Sequence, residues 1–309
     1  MKKYNVVLIA VSVIFLLSCS GSKNQPEMLN VGVMSSMDYL PLAVAQREGY
    51  FEKAGVNIKL HKFYSANERD AAFQSGNVDG VVIDFTGAVL QRAGGIDLKL
   101  TSKCDAPFYI VAGSQTGIDS LSQLKGKKIA VSQNTVIDYF VDKALASVGL
   151  GAADVDKVEI NKIPVRFEML RNNKIDATGL PNPFAFMAES EGDKILTSNA
   201  QLGFAITGIM FTQEAIDSKK ELIVKMYDVY NQGVEYLKTH TTNDVKEILI
   251  DDMGFTEEIV SHTVVSNYTR AGMPSDADIQ SVIDWLVARG LIDASFDKTV
   301  LLDNQFVNK

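Results

Sequence analysis

Four charged side chains combine a useful chemistry with a telling position. Arg69 and Arg166 are the cations best placed to hold an oxyanion, because a guanidinium offers paired donors. Asp38 and Asp84 would instead suit a cationic or amino-bearing solute, so the two pairs point to opposite ligands. Hydroxyls, amides and rings lie around them: Ser36 and Tyr39 flank Asp38, Ser65 and Asn67 precede Arg69, and Phe85 and Thr86 follow Asp84. A second polar group, Gln133, Asn134 and Thr135, comes later, and Asn182 later still. Hydroxyls and amides orient a small ligand, while Tyr39 and Phe85 offer flat apolar surface. The ordinary fate of both arginines is a surface salt bridge. Arg69 also sits in a first helical turn, where the helix dipole disfavours a cation.

Other chemistries have little support. His61, His240 and His262 are scattered, and no His/Cys cluster has metal-ligand spacing. There are two cysteines, Cys19 and Cys104; Cys104 follows the apolar run Leu98–Thr101 and reads as a small packed hydrophobe. No metal or cofactor is expected. No nucleophile has a nearby base and no paired-carboxylate signature occurs, so the chain does not read as an enzyme. Thirty Lys and Arg against 38 Asp and Glu give a net charge of −8. With no basic stripe to neutralise phosphates, nucleic acid is excluded as a partner.

The elements that would position these residues are legible. Leu121–Leu150 is built as a turn at Lys125-Gly126-Lys127, a strand at Lys128–Val131, a polar loop at Ser132–Thr135 and a helix. The helix shows in Val136, Phe140, Val141, Ala144, Leu145 and Val148, with Thr135 and Asp138 resembling a capping box. Strand, loop and helix N-terminus together form the kind of edge where open α/β sheets bind ligands. Earlier strands are expected at Met28–Met34, Val56–Lys62, Gly80–Ile83, Leu98–Thr101 and Phe108–Ala112, alternating with helices and mostly parallel. Phe73–Asp79 is echoed by Leu170–Asp176: each ends a helix, turns at a left-handed cap (Gly76 or Asn173) and enters a strand through an acid. This echo predicts two similarly built lobes. Gly203–Thr212 reads as a return strand to the first lobe, and helices follow at Glu221–Lys238, Asp244–Asp251, Glu257–Val265 and Asp276–Arg289.

The N-terminus reads as a leader of residues 1–19, with Lys2-Lys3 before an apolar run, Val6–Leu17, that is short for a membrane span. It ends Leu16-Leu17-Ser18-Cys19, which resembles a bacterial lipobox with Cys19 as the lipid-attachment residue. Residues 20–28 would be a flexible tether. That places the domain outside the cytoplasm, lipid-anchored to a bacterial membrane.

The order of several short motifs resembles the solute-binding components of ABC importers, in the group associated with nitrate, sulfonate, taurine and thiamine-pyrimidine uptake. These motifs are Pro41–Ala45 with Gly49-Tyr50-Phe51, Gly76–Gly80, Leu124–Lys128, Pro164–Leu170 and Leu180–Phe184. The resemblance implies an α/β, type II periplasmic-binding fold: two doubly wound lobes, a cleft, two hinge crossings and a helical C-terminal tail. Lobe 1 would comprise 29–110 and 207–309, and lobe 2 would comprise 111–206. The implied partners are a small solute, an ABC permease with its ATPase, and the membrane through the lipid anchor; the protein would act as a monomer. The implied ligand set is Ser36, Asp38, Tyr39, Ser65, Asn67, Asp84, Phe85, Thr86, Gln133, Asn134, Thr135 and Asn182. The same fold also hosts enzymes of thiamine-pyrimidine and menaquinone synthesis, which is the alternative reading. Relatives often carry Glu where this chain has Asn182.

Overall fold

The computed structural model describes residues 27–34, 36–64 and 66–307. The leader, Cys19, most of the tether and Ser65 therefore lie outside the described residues. The described residues build ten strands: β1 (Met28–Met34), β2 (Asn57–Phe63), β3 (Gly80–Asp84), β4 (Leu98–Lys103), β5 (Phe108–Ala112), β6 (Lys128–Val131), β7 (Asp156–Glu159), β8 (Ala177–Pro181), β9 (Lys194–Ser198) and β10 (Thr207–Thr212). They divide into two five-stranded sheets of orders β2-β1-β3-β10-β4 and β7-β6-β8-β5-β9. The two orders follow one plan: a middle strand, its successors on either side, then a strand from a distant part of the chain.

Both sheets are mixed, where the apolar runs alone suggest mostly parallel pairing. β1 pairs in parallel with β2 and β3, but β10 runs antiparallel to β3 and β4. In the second sheet β6 pairs in parallel with β7 and β8, while β5 runs antiparallel to β8 and β9. An apolar run marks a buried strand but carries no information on direction. Because β5 lies wholly in the second sheet, the chain leaves the first sheet at Lys103 and enters the second at Phe108. It returns between Ser198 and Thr207. Asn199 secures this double crossing, accepting from the Phe108 amide at 2.8 Å and donating to the Phe204 carbonyl at 2.8 Å.

The strands read as apolar because helices cover both faces. Leu29, Val31 and Val33 of β1 are fully buried, as are Val81 and Ile83 of β3. The long helix Lys220–Leu237 packs on the helix Leu40–Arg47 so closely that only glycine fits at 233, facing the Pro41 carbonyl. The two anticipated left-handed caps are present, with φ of 72° at Gly76 and 54° at Asn173. The stretch expected as a helix over Asp244–Asp251 is instead a π turn, Ile248–Asp252.

The tail does more than complete the first lobe. One apolar cluster joins Phe85 and Ala88 of the first lobe, Val136 and Phe140 of the second, and Ile279 and Ile283 of the tail helix Asp276–Ala288. Polar bonds reinforce it: Arg289 reaches Asp138 at 2.8 Å and Asp142 at 2.9 Å, and the Trp285 indole donates to Asp142 at 2.9 Å. Among the described residues, no helix is long and apolar enough to cross a membrane.

Candidate functional site

The residues anticipated for binding cluster at the C-terminal ends of β1, β3, β6 and β8. In the first lobe, the loop after β1 and the end of β3 meet the start of β10. Asp38 is 4% exposed and accepts from the Ser36 hydroxyl at 2.9 Å and the Thr207 hydroxyl at 2.8 Å. Burial pushes its carboxyl up to about 6; these two hydrogen bonds oppose the rise, and the charge of Asp84 adds to it. Thr207 is register-paired with Asp84, so one strand start ties the two acids together.

Asp84 is the N-cap of the helix Phe85–Ala93, accepting from the Gly87 amide at 2.7 Å and from the Thr86 hydroxyl. Phe85 and Thr86 are thus the first turn of that helix. Phe85 is fully buried in the apolar cluster, and its amide donates to Ile206. Tyr39 is also buried, with its ring near Leu60 and Asp252 rather than beside Asp84. Asn67 is exposed.

In the second lobe, Thr135 caps the helix Val136–Ala146 by accepting from the Ile137 amide at 3.4 Å. Asp138 reaches back to the Asn134 amide at 3.0 Å, one residue short of a full capping box. Asn134 takes a positive φ of 60°, which asparagine tolerates, and Gln133 beside it is exposed. Asn182 ends β8 at 1% exposed; its amide nitrogen donates to the Val264 carbonyl of the first lobe, and its Oδ1 is buried without a partner.

Both arginines differ from the expected surface salt bridge. Arg69 is 4% exposed and bonds Asp70 at 2.9 Å and the Val82 carbonyl at 3.3 Å, with Asp84 3.8 Å away. Arg166 is 1% exposed and, among the described residues, pairs with no acid: it donates to the carbonyls of Ile160 at 2.9 Å, Asn161 at 3.3 Å and Gly179 at 3.4 Å. The helix Ile163–Arg171 aims this side chain at the ends of β7 and β8, and burial pulls its guanidinium down to about 10. Nε and Nη1 of both arginines are taken by these internal partners. The free N–H groups at the starts of Phe85–Ala93 and Val136–Ala146 are the remaining anion-attracting feature.

Sequence reasoning did not single out Thr207, Tyr109 or Tyr268. Tyr268 donates to the Met37 carbonyl at 2.7 Å, placing a tail residue against the β1 loop within electrostatic reach of Asp38 and Tyr109. Tyr109 of β5 stacks edge-on with Phe186 at 5.1 Å, and burial with nearby Glu189 pushes its phenol up to about 12. Tyr268 lies in a stretch without periodicity and carries no local signal. Cys104 is 3% exposed and its thiol is pushed well up by burial, as suits a packed hydrophobe. Among the described residues, no group of three or more His, Cys, Asp and Glu could hold a metal ion.

Comparison with known proteins agrees with this architecture. A relative named as an aliphatic sulfonates-binding protein of Bacillus subtilis (strain 168) is 27% identical, over 100% of this chain and 97% of its own length. The alkanesulfonate-binding protein SsuA from Xanthomonas axonopodis pv. citri, solved bound to MOPS, is 18% identical with a TM-score of 0.71, covering 87% of this chain and 95% of its own. The periplasmic aliphatic sulphonate binding protein SsuA from Escherichia coli is 15% identical with a TM-score of 0.72, covering 92% and 94%. At these identities the two structures establish the two-lobed fold. The model of the NMT1/THI5 like family matches residues 36–243, two thirds of the sequence, and the chain belongs to that family.

Proposed function

We propose that this protein is the extracytoplasmic solute-binding component of an ABC importer, taking a small organosulfonate or similar oxyanion between its lobes. The observation that carries the reading is the repeated plan of the two sheets, joined by two crossings, with a helix capped at a strand end in each lobe, by Asp84 in one and Thr135 in the other. With Nε and Nη1 of Arg69 and Arg166 bonded to internal partners, backbone N–H groups and hydroxyls at the strand ends would supply most of the hold on an anionic head. Relatives named for sulfonates favour that head over a cationic one. The lobes follow the sheets: residues 27–103 and 207–307 form one and 108–198 the other, with closure about 104–107 and 199–206. In this reading Asn134, Thr135, Gln133, Asn182, Ser36, Asp38, Asp84 and Thr86 would line the cleft. Phe85, fully buried, would act as packing.

Ligand contacts to both lobes would stabilise a closed state and leave the solute chemically unchanged. Against the enzyme reading, Cys104 is buried and burial pushes its thiol well up, so it is not poised as a thiolate nucleophile. Calorimetric titration of residues 20–309 with alkanesulfonates, nitrate and small amines is the test. One oxyanion class should bind, and at 100 times its Kd it should raise stability by about 2.7 kcal/mol. Binding of amines alone, or turnover of the bound solute, would overturn the reading. The delivery partner is a permease with its ATPase, and the protein acts as a monomer held at the membrane by lipid on Cys19. Cys19→Ala should move the protein from the membrane to the soluble fraction, because dual or triple acylation is what anchors stably. Unchanged membrane association would remove the anchor from this account.

A further inference from the structure

A small polar cavity opens on the first lobe, on the side of the Met37–Tyr39 turn marked by Tyr39. It encloses about 160 Å3 between Tyr39 and Gln46, Leu60 and Lys62 of β2, and Asp251 and Asp252 of the π turn. Every residue lining it belongs to the first lobe. We propose that this cavity is a second ligand site, independent of the cleft, for a small solute carrying one protonated amine that donates to Asp252 Oδ2 and Tyr39 Oη.

Two unpartnered polar atoms face this space. Tyr39 is 2% exposed, and its hydroxyl is buried without a hydrogen bond. Asp252 Oδ2 is likewise buried without one; Arg47 lies 3.5 Å away but is shared with Glu247 at 3.2 Å and Asp251 at 3.0 Å. Burial raises the Asp252 carboxyl, Asp251 adds to the rise, and Arg47 and Lys62 oppose it. The local ledger is three carboxylates, Glu247, Asp251 and Asp252, against two cations, Arg47 and Lys62. Asp252, the least exposed of the three, is the one whose Oδ2 is left without a hydrogen bond.

Size and shape limit what can supply it. A single water needs only about 10–15 Å3 of such space, so the cavity admits a group of several non-hydrogen atoms. Leu60 and the Tyr39 ring give a short alkyl segment an apolar wall. Lys62, exposed beside the cavity, repels a second positive charge and so favours a monoamine. A π turn supplying both acids is a geometry that recurs at functional sites.

The experiment is amide-resolved NMR of residues 20–309 titrated with methylammonium chloride, ethanolamine, and sodium chloride at matched ionic strength. Saturable shifts at Tyr39, Lys62 and Asp252 are expected with both amines and not with sodium chloride. Asp252→Asn should weaken amine binding about tenfold or more, and Tyr39→Phe several-fold, as expected for lost charged and neutral hydrogen bonds. Binding of an oxyanion in the cleft should stay unchanged in Asp252→Asn, which separates this site from the cleft reading. Shifts identical to those from sodium chloride, saturation at the interlobe loops instead, or full amine affinity in Asp252→Asn would each overturn the proposal. Should Asp252→Asn fold poorly, Tyr39→Phe carries the same test.

Discussion

Arg166→Met should lower the stability of the domain by about 2 kcal/mol, the cost of the charge-assisted bonds made by a buried guanidinium, one of them to the buried Gly179 carbonyl. The substitution keeps most of the apolar stem and removes every donor. Ile160, Asn161 and Gly179 then lose the group that bonds their carbonyls at the ends of β7 and β8. A surface arginine replaced the same way would change stability by less than about 0.5 kcal/mol, so the size of the loss distinguishes the two placements. Urea unfolding followed by circular dichroism reads it directly. Arg166→Lys should recover little, because one ammonium cannot span three carbonyls that a planar guanidinium reaches together. A loss within the surface range would contradict the buried, carbonyl-bonded placement of Arg166.

Gly233→Ala sets two effects against each other. Helix propensity alone favours alanine over glycine by about 1 kcal/mol inside a helix. Packing opposes it: an added Cβ would sit 2.0 Å from the Pro41 carbonyl oxygen and 2.8 Å from its carbon. These are backbone atoms, so the helices Leu40–Arg47 and Lys220–Leu237 must separate to admit the methyl group. Overpacking of this kind costs on the order of 3 kcal/mol and overrides the propensity gain. The exposed neighbour Gln232→Ala, with no such contact, should be neutral within about 0.5 kcal/mol. Comparing the two midpoints in one denaturant series checks the prediction, and a stabilised Gly233→Ala would refute the close helix packing.

Much of the architecture could be read before any coordinates. The strands at β1, β3, β6 and β10 appear as apolar runs because both faces of their sheets are covered. Asn173 was legible as a left-handed cap because its helix-turn-acid context repeats that of Gly76. What stayed hidden depended on distant partners. Asp38 meets Thr207 across 169 residues of sequence, so neither residue signals the other. Arg166 looks like any helical arginine until the carbonyl ends of two strands are brought over it. The antiparallel direction of β5 and β10 is likewise a property of the crossings, since an apolar strand reads the same in either sense. Tyr39 and Phe85 look like ligand platforms by type, yet local sequence cannot say that the helix beginning at Phe85 turns its first ring inward. Asp84 as a helix cap was within reach, because Asp followed by a nine-residue helical segment is a common start.

The central claim is that two lobes shut on an unaltered solute. Small-angle scattering of residues 20–309, with and without a saturating oxyanion identified by calorimetry, tests it most directly. A smaller radius of gyration in the bound sample, with the solute recovered intact, is the predicted result. Saturated binding with an unchanged radius, or recovery of a chemically converted solute, would contradict it.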